Sequence, residues 1–181
     1  MKFMFASDLH GSLFFCKKLI ESYENENPQK LILLGDLLYH GPRNDLSKDY
    51  NTKEVAKLLN SIKNNILCVK GNCDAQVDQM VLDFPIMSDY SIMYLKNRMI
   101  FLTHGHIYNK YNLPYLSKND IIIHGHTHIQ TVEDLNGIIY INPGSVSLPK
   151  QNNPNTYMIY DDGLFEIKDF NQNIVNQYKM L

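Results

Sequence analysis

Apolar residues fall into short runs along this chain, and each run stops at a polar residue capable of chemistry. Lys2-Phe3-Met4-Phe5-Ala6-Ser7 reads as a strand leading into Asp8-Leu9-His10-Gly11, and Lys30-Leu31-Ile32-Leu33-Leu34 closes on Gly35-Asp36. Ile66-Leu67-Cys68-Val69 runs in the same way into Lys70-Gly71-Asn72-Cys73-Asp74. Unbroken apolar runs of this kind suit strands covered on both faces. Helical spacing fills the gaps between them. Ser12 can cap a helix through Phe15, Leu19, Ile20 and Tyr23 that ends at Asn25, Asn27 and Pro28, and Asn51 with Glu54 can cap another through Val55, Leu58, Leu59 and Ile62. Strand, helix, strand, helix, strand predicts right-handed crossovers in a parallel sheet, with ligands gathered at the carboxyl ends of the strands.

The second half changes character. Ser91 to Leu95 and Met99 to Leu102 flank a Lys96-Asn97-Arg98 turn, and the latter run leads into Thr103-His104-Gly105-His106. Asp120 to Ile123 ends in His124-Gly125-His126-Thr127-His128, and short strands follow at 131–135, 138–141, 157–160 and 164–170, separated by turn residues such as Asn136-Gly137 and Asp161-Asp162-Gly163. These later strands predict a second, mixed or antiparallel sheet stacked on the first, with helices outside. The fold class is therefore α/β.

Length and composition narrow the possibilities. With 181 residues, 44% of them apolar, one domain over 1–181 is expected. The 17 basic and 19 acidic residues leave a net charge of −2, so no general attraction to nucleic acid or an anionic membrane is expected, and any anion must be held locally. Cys16, Cys68 and Cys73 are odd in number and scattered, which points to reduced thiols and the cytoplasm. Asp8 and His10 interrupt the first apolar run too early for a signal-peptide core, and no stretch approaches the ~20 apolar residues of a membrane span.

The strand ends carry the candidate chemistry. Asp8 and His10 are two residues apart, so on an extended backbone they would face the same side and reach one ion. The strand-end motifs together offer Asp8, His10, Asp36, Asn72, His104, His126 and His128, more donors than one ion needs. A pair of divalent cations sharing a carboxylate accounts for the number. Mixed nitrogen and oxygen ligation suits manganese, placed first, with zinc, iron, cobalt or nickel as alternatives. Two such ions outweigh the charge of Asp8 and Asp36, and a bridging hydroxide together with a small anionic phosphate ester would restore the balance. The expected reaction is hydrolysis of that ester.

Asp8-x-His10, Gly35-Asp36, Gly71-Asn72-x-Asp74, Thr103-His104-Gly105-His106 and Gly125-His126-x-His128, in this order, resemble the calcineurin-like metallophosphoesterases. Within them, Phe5-Ala6-Ser7-Asp8, His40-Gly41-Pro42-Arg43-Asn44, Val77-Asp78-Gln79-Met80 and Asn142-Pro143-Gly144-Ser145-Val146-Ser147 resemble the bacterial YfcE-like phosphodiesterase branch. The resemblance implies a four-layer αββα sandwich of two mixed sheets flanked by helices, and a phosphodiesterase working by attack of a metal-bridging hydroxide. It further implies that Asp8, His10 and His128 hold one ion, that Asn72, His104 and His126 hold the other, and that Asp36 bridges them. Asn72, His104, Asp36 and His106 are then the catalytic candidates, with His106 donating to the phosphate or the leaving group. The wider family has histidine where this chain has Cys73, which leaves protonation of the leaving group unassigned.

The remaining candidates have plainer alternatives. Arg43 could fork onto a phosphate, with His40 and Cys73 beside it, although His40 is also simply a loop residue and Cys73 a small apolar filler. Asp74 is expected behind the ligands rather than among them, and His124 as a hydrogen-bonded structural residue. Two functions compete with the phosphodiesterase: a phosphomonoesterase acting on a nucleotide or phosphoprotein, and a non-catalytic interaction scaffold like the phosphoesterase-like subunit of retromer. A homo-oligomer is compatible with all three.

Overall fold

The computed structural model describes residues 1–180. Strand β1 (Lys2–Ala6) pairs in parallel with β2 (Lys30–Leu33), which pairs in parallel with β3 (Ile66–Cys68). The crossovers are the predicted helices α1 (Leu13–Glu26) and α2 (Thr52–Ser61). Ser12 Oγ accepts from Phe15 N and Asn51 Oδ1 from Glu54 N, so both helices start where the caps predict. One further turn, α3 (Gln76–Gln79), has no counterpart in the sequence reading.

A second mixed sheet contains β4 (Tyr90–Leu95), β5 (Arg98–Thr103), β6 (Ile121–Ile123), β7 (Thr131–Leu135) and β8 (Ile138–Asn142), in the order β4-β5-β6-β8-β7. The chain then returns to the first sheet. Strands β9 (Thr156–Asp161), β10 (Leu164–Asp169) and β11 (Ile174–Lys179) give it the order β11-β10-β9-β1-β2-β3. This corrects the placement of 157–160 and 164–170 in the second sheet. Residues 156–160 are buried throughout, which requires cover on both faces, and the place beside β1 supplies it. Periodicity reports burial but not the pairing partner. Strand β11 escaped the sequence reading because it is an exposed edge strand of mixed polar residues.

Alternation along β1 divides its side chains between two cores. Met4 and Ala6 pack under the helices with Leu13, Cys16, Leu19, Val55 and Leu59, whereas Phe5 packs between the sheets with Ile100, Leu102, Ile121 and Ile141. Each fully buried side chain of this size is worth about 1.5–3 kcal/mol relative to exposure. The sandwich of two mixed sheets thus forms as expected, with its helices over the first sheet. On the second sheet, Phe101, Ile122 and Tyr140 are covered by Tyr108 and Leu116 from the segment between β5 and β6. No helix among the described residues is long and apolar enough to cross a membrane.

A charged staple closes the first sheet against α1. Glu26, at the last turn of the helix, accepts from Lys2 on β1 and from Lys168 on β10. Burial pushes the Glu26 carboxyl up, but hydrogen bonds from Lys2 and Lys168 outweigh it and hold the group below its usual range. A depressed folded-state pKa gives stability that is present above the unfolded value near ~4.3 and is lost as pH falls through the folded value. Glu26→Gln is expected to cost about 1–2 kcal/mol at pH 7, and its unfolding free energy should approach that of the wild type as pH is lowered below ~4, measured by urea denaturation across that range.

Candidate metal centre

The carboxyl ends of β1, β2 and β3, and those of β5 and β6, meet at one rim. Past Ala6 the backbone of the first motif stays tied to the second: Asp8 N donates to Gly35 O, His10 N to Asp36 O and Gly11 N to Leu37 O, at 3.1, 3.0 and 2.9 Å. The two motifs therefore run side by side beyond the strands proper. The third motif approaches without room for a side chain, since a Cβ on Gly35 would lie 2.4 Å from Gly71 N, and one on Gly71 would lie 2.3 Å from Asp36 N.

Strand parity does not bring Asp8 and His10 together, contrary to the sequence-based expectation. Asp8 and His10 have φ values of 60° and 45°, in the left-handed region, and Asp36, His126 and His128 follow at 55°, 68° and 62°. Asp and His tolerate this region better than most residues, at a cost of about 1 kcal/mol or more each. The surroundings hold the strain. Ser145 Oγ and Ser147 Oγ both donate to Asp8 O, at 2.9 and 3.0 Å, and His126 N donates to Asp8 Oδ2 at 3.1 Å.

Three imidazoles are fixed from behind in the same way. The Nδ1 atoms of His10, His104 and His128 donate to the carbonyls of Tyr39, Leu34 and Leu148 at 2.8, 2.7 and 2.5 Å. Their Nε2 atoms turn into one space. His10 Nε2 and His128 Nε2 are 3.2 Å apart, too close for both to carry a proton. Asp8 Oδ1 lies 3.3 Å from His128 Nε2, 3.7 Å from His10 Nε2 and 4.0 Å from His104 Nε2. Asp36 Oδ2 stands 3.7 Å from His10 Nε2 and 3.4 Å from His104 Nε2, and His104 Nε2 is 3.0 Å from Asn72 Oδ1.

A cation fits this arrangement. Asp8 is fully buried, yet its Oδ1 has no hydrogen-bond partner, in the middle of imidazole nitrogens whose other proton sites are already committed. An unpaired buried carboxylate oxygen is costly. Asp8, His10 and His128 converge closely enough to hold one ion, and so do Asp8, Asp36 and His104; His10, Asp36 and Cys73 form a third convergent set. Asp36 Oδ2 is positioned between the His10 and His104 sides.

Without a cation, protons balance the carboxylates. Burial pushes the Asp8 and Asp36 carboxyls up, but the facing imidazoles outweigh it, those of His10 and His128 at Asp8 and that of His104 at Asp36, and hold both below the carboxylate range, Asp8 by a wide margin. Burial depresses His104, but Asp36 and Asp8 outweigh it and raise it to about 9; Asp8 likewise raises His10. Burial lowers His126 to about 4, helped by the charge of His104, so His126 is neutral at pH 7 and can offer a lone pair.

The other candidates occupy distinct places. Arg43 and Cys73 line a cleft of about 350 Å³ over the donors, together with Asn44, Thr127 and Lys150. His40 is not among the residues lining it, and its ring packs against Tyr39 and Tyr50. Burial, then the charge of Asp36, pushes the Cys73 thiol up to about 12, so it keeps its proton as a weak donor or filler. Asp74 accepts backbone N–H bonds from Asp36, Leu37 and Gly71 at 2.8, 2.9 and 2.7 Å, which fixes the second and third motifs from behind. His124 is structural, as expected, with Nδ1 donating to Gly125 O. His106 sits beside the cluster with its ring 5.4 Å from that of His104.

Sequence reasoning missed Lys150 and the roles of Ser145 and Ser147. The serines lie in a glycine-bearing turn whose composition shows only a turn, and an isolated lysine in a loop carries no pattern. Chemistry rather than size locates the site, because a larger cavity of about 730 Å³ beside α2 and α3 contains none of the donors.

Comparison with known proteins agrees with this geometry. The family model described as the calcineurin-like phosphoesterase superfamily domain matches residues 1–162. Phosphodiesterase YfcE of Escherichia coli K12 is 43% identical over 178 residues, covering 98% of this chain and 97% of that protein. The solved structure of the Escherichia coli YfcE phosphoesterase superposes with a TM-score of 0.97 at 41% identity, covering 100% of both chains. Vacuolar protein sorting 29 of Cryptosporidium parvum shares the fold alone, with a TM-score of 0.62 at 18% identity over 98% of this chain and 97% of that one.

Because His104, raised to about 9, holds a proton at pH 7 that a cation must displace, binding of Mn²⁺ or Zn²⁺ is expected to release at least one proton per protein. Affinity should rise with pH towards about 9, where His104 gives up its proton unaided. Calorimetry in buffers of different ionisation enthalpy measures the release, and binding with no proton released at pH 7 would contradict these protonation states.

Proposed function

The chain belongs to the calcineurin-like phosphoesterase superfamily and is a homologue of a phosphodiesterase, and we propose that it hydrolyses small phosphate diesters with the help of two divalent cations. The observation that carries this reading is the buried, unpaired Asp8 Oδ1 facing the Nε2 atoms of His10, His104 and His128. In the proposed assignment Asp8, His10 and His128 hold one ion and Asn72, His104 and His126 the other, with Asp36 shared. Manganese is placed first, and zinc, iron, cobalt and nickel remain open to the same donors. When bound, such ions make a water ionisable near neutral pH and take up charge on phosphoryl oxygens.

The protein's own groups do the remaining work. Tyr39, Leu34 and Leu148 carbonyls fix the imidazoles, so the donors need little rearrangement when the substrate arrives. Arg43 and Lys150 on the cleft wall supply positive charge for the phosphate, which a chain of net charge −2 does not supply over its whole surface. Cys73 keeps its proton and stands where the wider family has a histidine. We therefore place His106, beside His104, as the group serving the leaving alcohol, with an activated leaving group needing it least. The cleft's modest volume and the three free thiols support a small cytoplasmic substrate handled by a single domain.

Asp36→Asn and His128→Ala are expected to lower kcat/KM on an activated diester by more than about a hundredfold while near-native circular dichroism is retained. Metal-depleted wild-type protein should be inactive and should regain turnover with at least one of Mn, Co, Ni, Zn or Fe. Full activity in either pure variant refutes the ligand assignment. Faster turnover of the matching monoester than of the diester would make the enzyme a phosphomonoesterase instead.

A further inference from the structure

Edge strand β4 leaves one side of the second sheet open. It pairs with β5 alone, and among the described residues no backbone N–H or C=O of 90–95 has a backbone partner outside that pairing. The other sheet edges carry protection against a further strand. Strand β7 has Glu133 and Asp134, β3 is three residues long, and β11 is mixed polar and pairs through a register shift at Ile167/Lys168. Strand β4 is six residues long, Tyr-Ser-Ile-Met-Tyr-Leu, with no charge, no proline and no register shift. We propose that β4 docks a second copy of this chain, edge to edge and antiparallel, so that the second sheets of two copies join into one.

The side chains of the strand fit this occupant. Alternation puts Met93 and Leu95 between the sheets and leaves Tyr90, Ile92 and Tyr94 on the outer face, 46, 47 and 68% exposed. Antiparallel pairing of a strand with its own copy is two-fold symmetric. With the axis at Ile92, that residue faces Ile92 of the second copy and each Tyr90 faces a Tyr94. A row of apolar and aromatic pairs then forms with no like charges opposed. Moving the axis to Met93 would instead set Tyr90 against Lys96, whose Nζ is already held by Asp162.

The surface beside the strand extends the contact. A groove of about 480 Å³ lies between the outer face of β4 and β5 and the 108–115 segment, bordered by Tyr90, Ile92, Met99, Leu113 and Tyr115. Tyr115 is fully exposed there, and Tyr90 stacks on Phe101 with ring centroids 4.9 Å apart, so the aromatic surface is formed before docking. An aromatic side chain carries about 150–250 Å², so Tyr90, Tyr94 and Tyr115 at their exposures offer about 400 Å² per copy, to which Ile92 and Leu113 add. Over both copies this reaches about 1,000 Å², the lower limit for a specific interface. An interface of that size fits a dimer that forms at micromolar concentrations.

Sedimentation equilibrium on the wild type is expected to show the mass of one chain at about 1 μM and to approach that of two at about 100 μM. Ile92→Lys sets two like charges across the axis, and Tyr94→Glu sets a carboxylate against an aromatic face. Each should raise the dissociation constant about tenfold or more while near-native circular dichroism is retained. Ile92→Cys should cross-link to its own copy on mild oxidation, because residues opposite each other have Cα atoms about 4.5–5.5 Å apart. Tyr94→Cys should not, since an offset of four residues separates the two copies of that position by about 13 Å. A wild type that keeps the mass of one chain at about 100 μM overturns the proposal. So does a dimer that persists in well-folded Ile92→Lys and Tyr94→Glu, or cross-linking at position 94 as complete as at 92.

Discussion

One buried carboxylate oxygen sets the terms for the rest of this molecule. Asp8 Oδ1 has no exposure and no hydrogen-bond donor of its own, and the nitrogens nearest to it belong to histidines whose other nitrogen is already bonded to a main-chain carbonyl. The proton on His104 offsets part of its charge, but a cation satisfies the oxygen and the facing lone pairs together. The site is thus costly when bare and stabilised when loaded, so metal binding should add to the stability of the fold.

The fold carries that cost by surrounding it. Five donor-bearing residues adopt left-handed backbone conformations, and each is fixed through contacts made elsewhere in the chain. The backbone between the first two motifs continues the parallel pairing of β1 and β2 for several residues beyond the strands, and Ser145 and Ser147 hold the Asp8 carbonyl from a loop far along the sequence. Asp74 does the same for the second and third motifs with a single carboxylate. The two apolar cores beneath, one against the helices and one between the sheets, are what make these loops stiff enough to stay strained.

Cationic side chains at Arg43 and Lys150 border the cleft over the metal donors, where charge for an anionic phosphate is needed and a chain of net charge −2 does not supply it over its whole surface. A family fold that serves other roles elsewhere can differ in what it accepts through the loops that line this cleft, without change to the donors.

Much of this was legible in the residues alone. Unbroken apolar runs ending in Asp8, Asp36 and Asn72 marked the strands of a parallel sheet, the caps at Ser12 and Asn51 located both crossover helices, and the strand-end motifs pointed to Asp8, His10, Asp36, His104 and His128, which the fold brings into convergent groups. All of these are local signals, carried by side-chain type and spacing within a dozen residues. What the sequence left undecided depends on distant partners. Burial of 156–160 was readable, but not that these residues lie against β1 rather than in the second sheet. The donor types were readable, but not that left-handed turns rather than strand alternation aim Asp8 and His10 at one point. Neither Lys150 nor the serines that hold Asp8 carry a pattern of their own. Hydrogen-bond partners and backbone strain are properties of the packed chain, and only the tertiary structure assigns them.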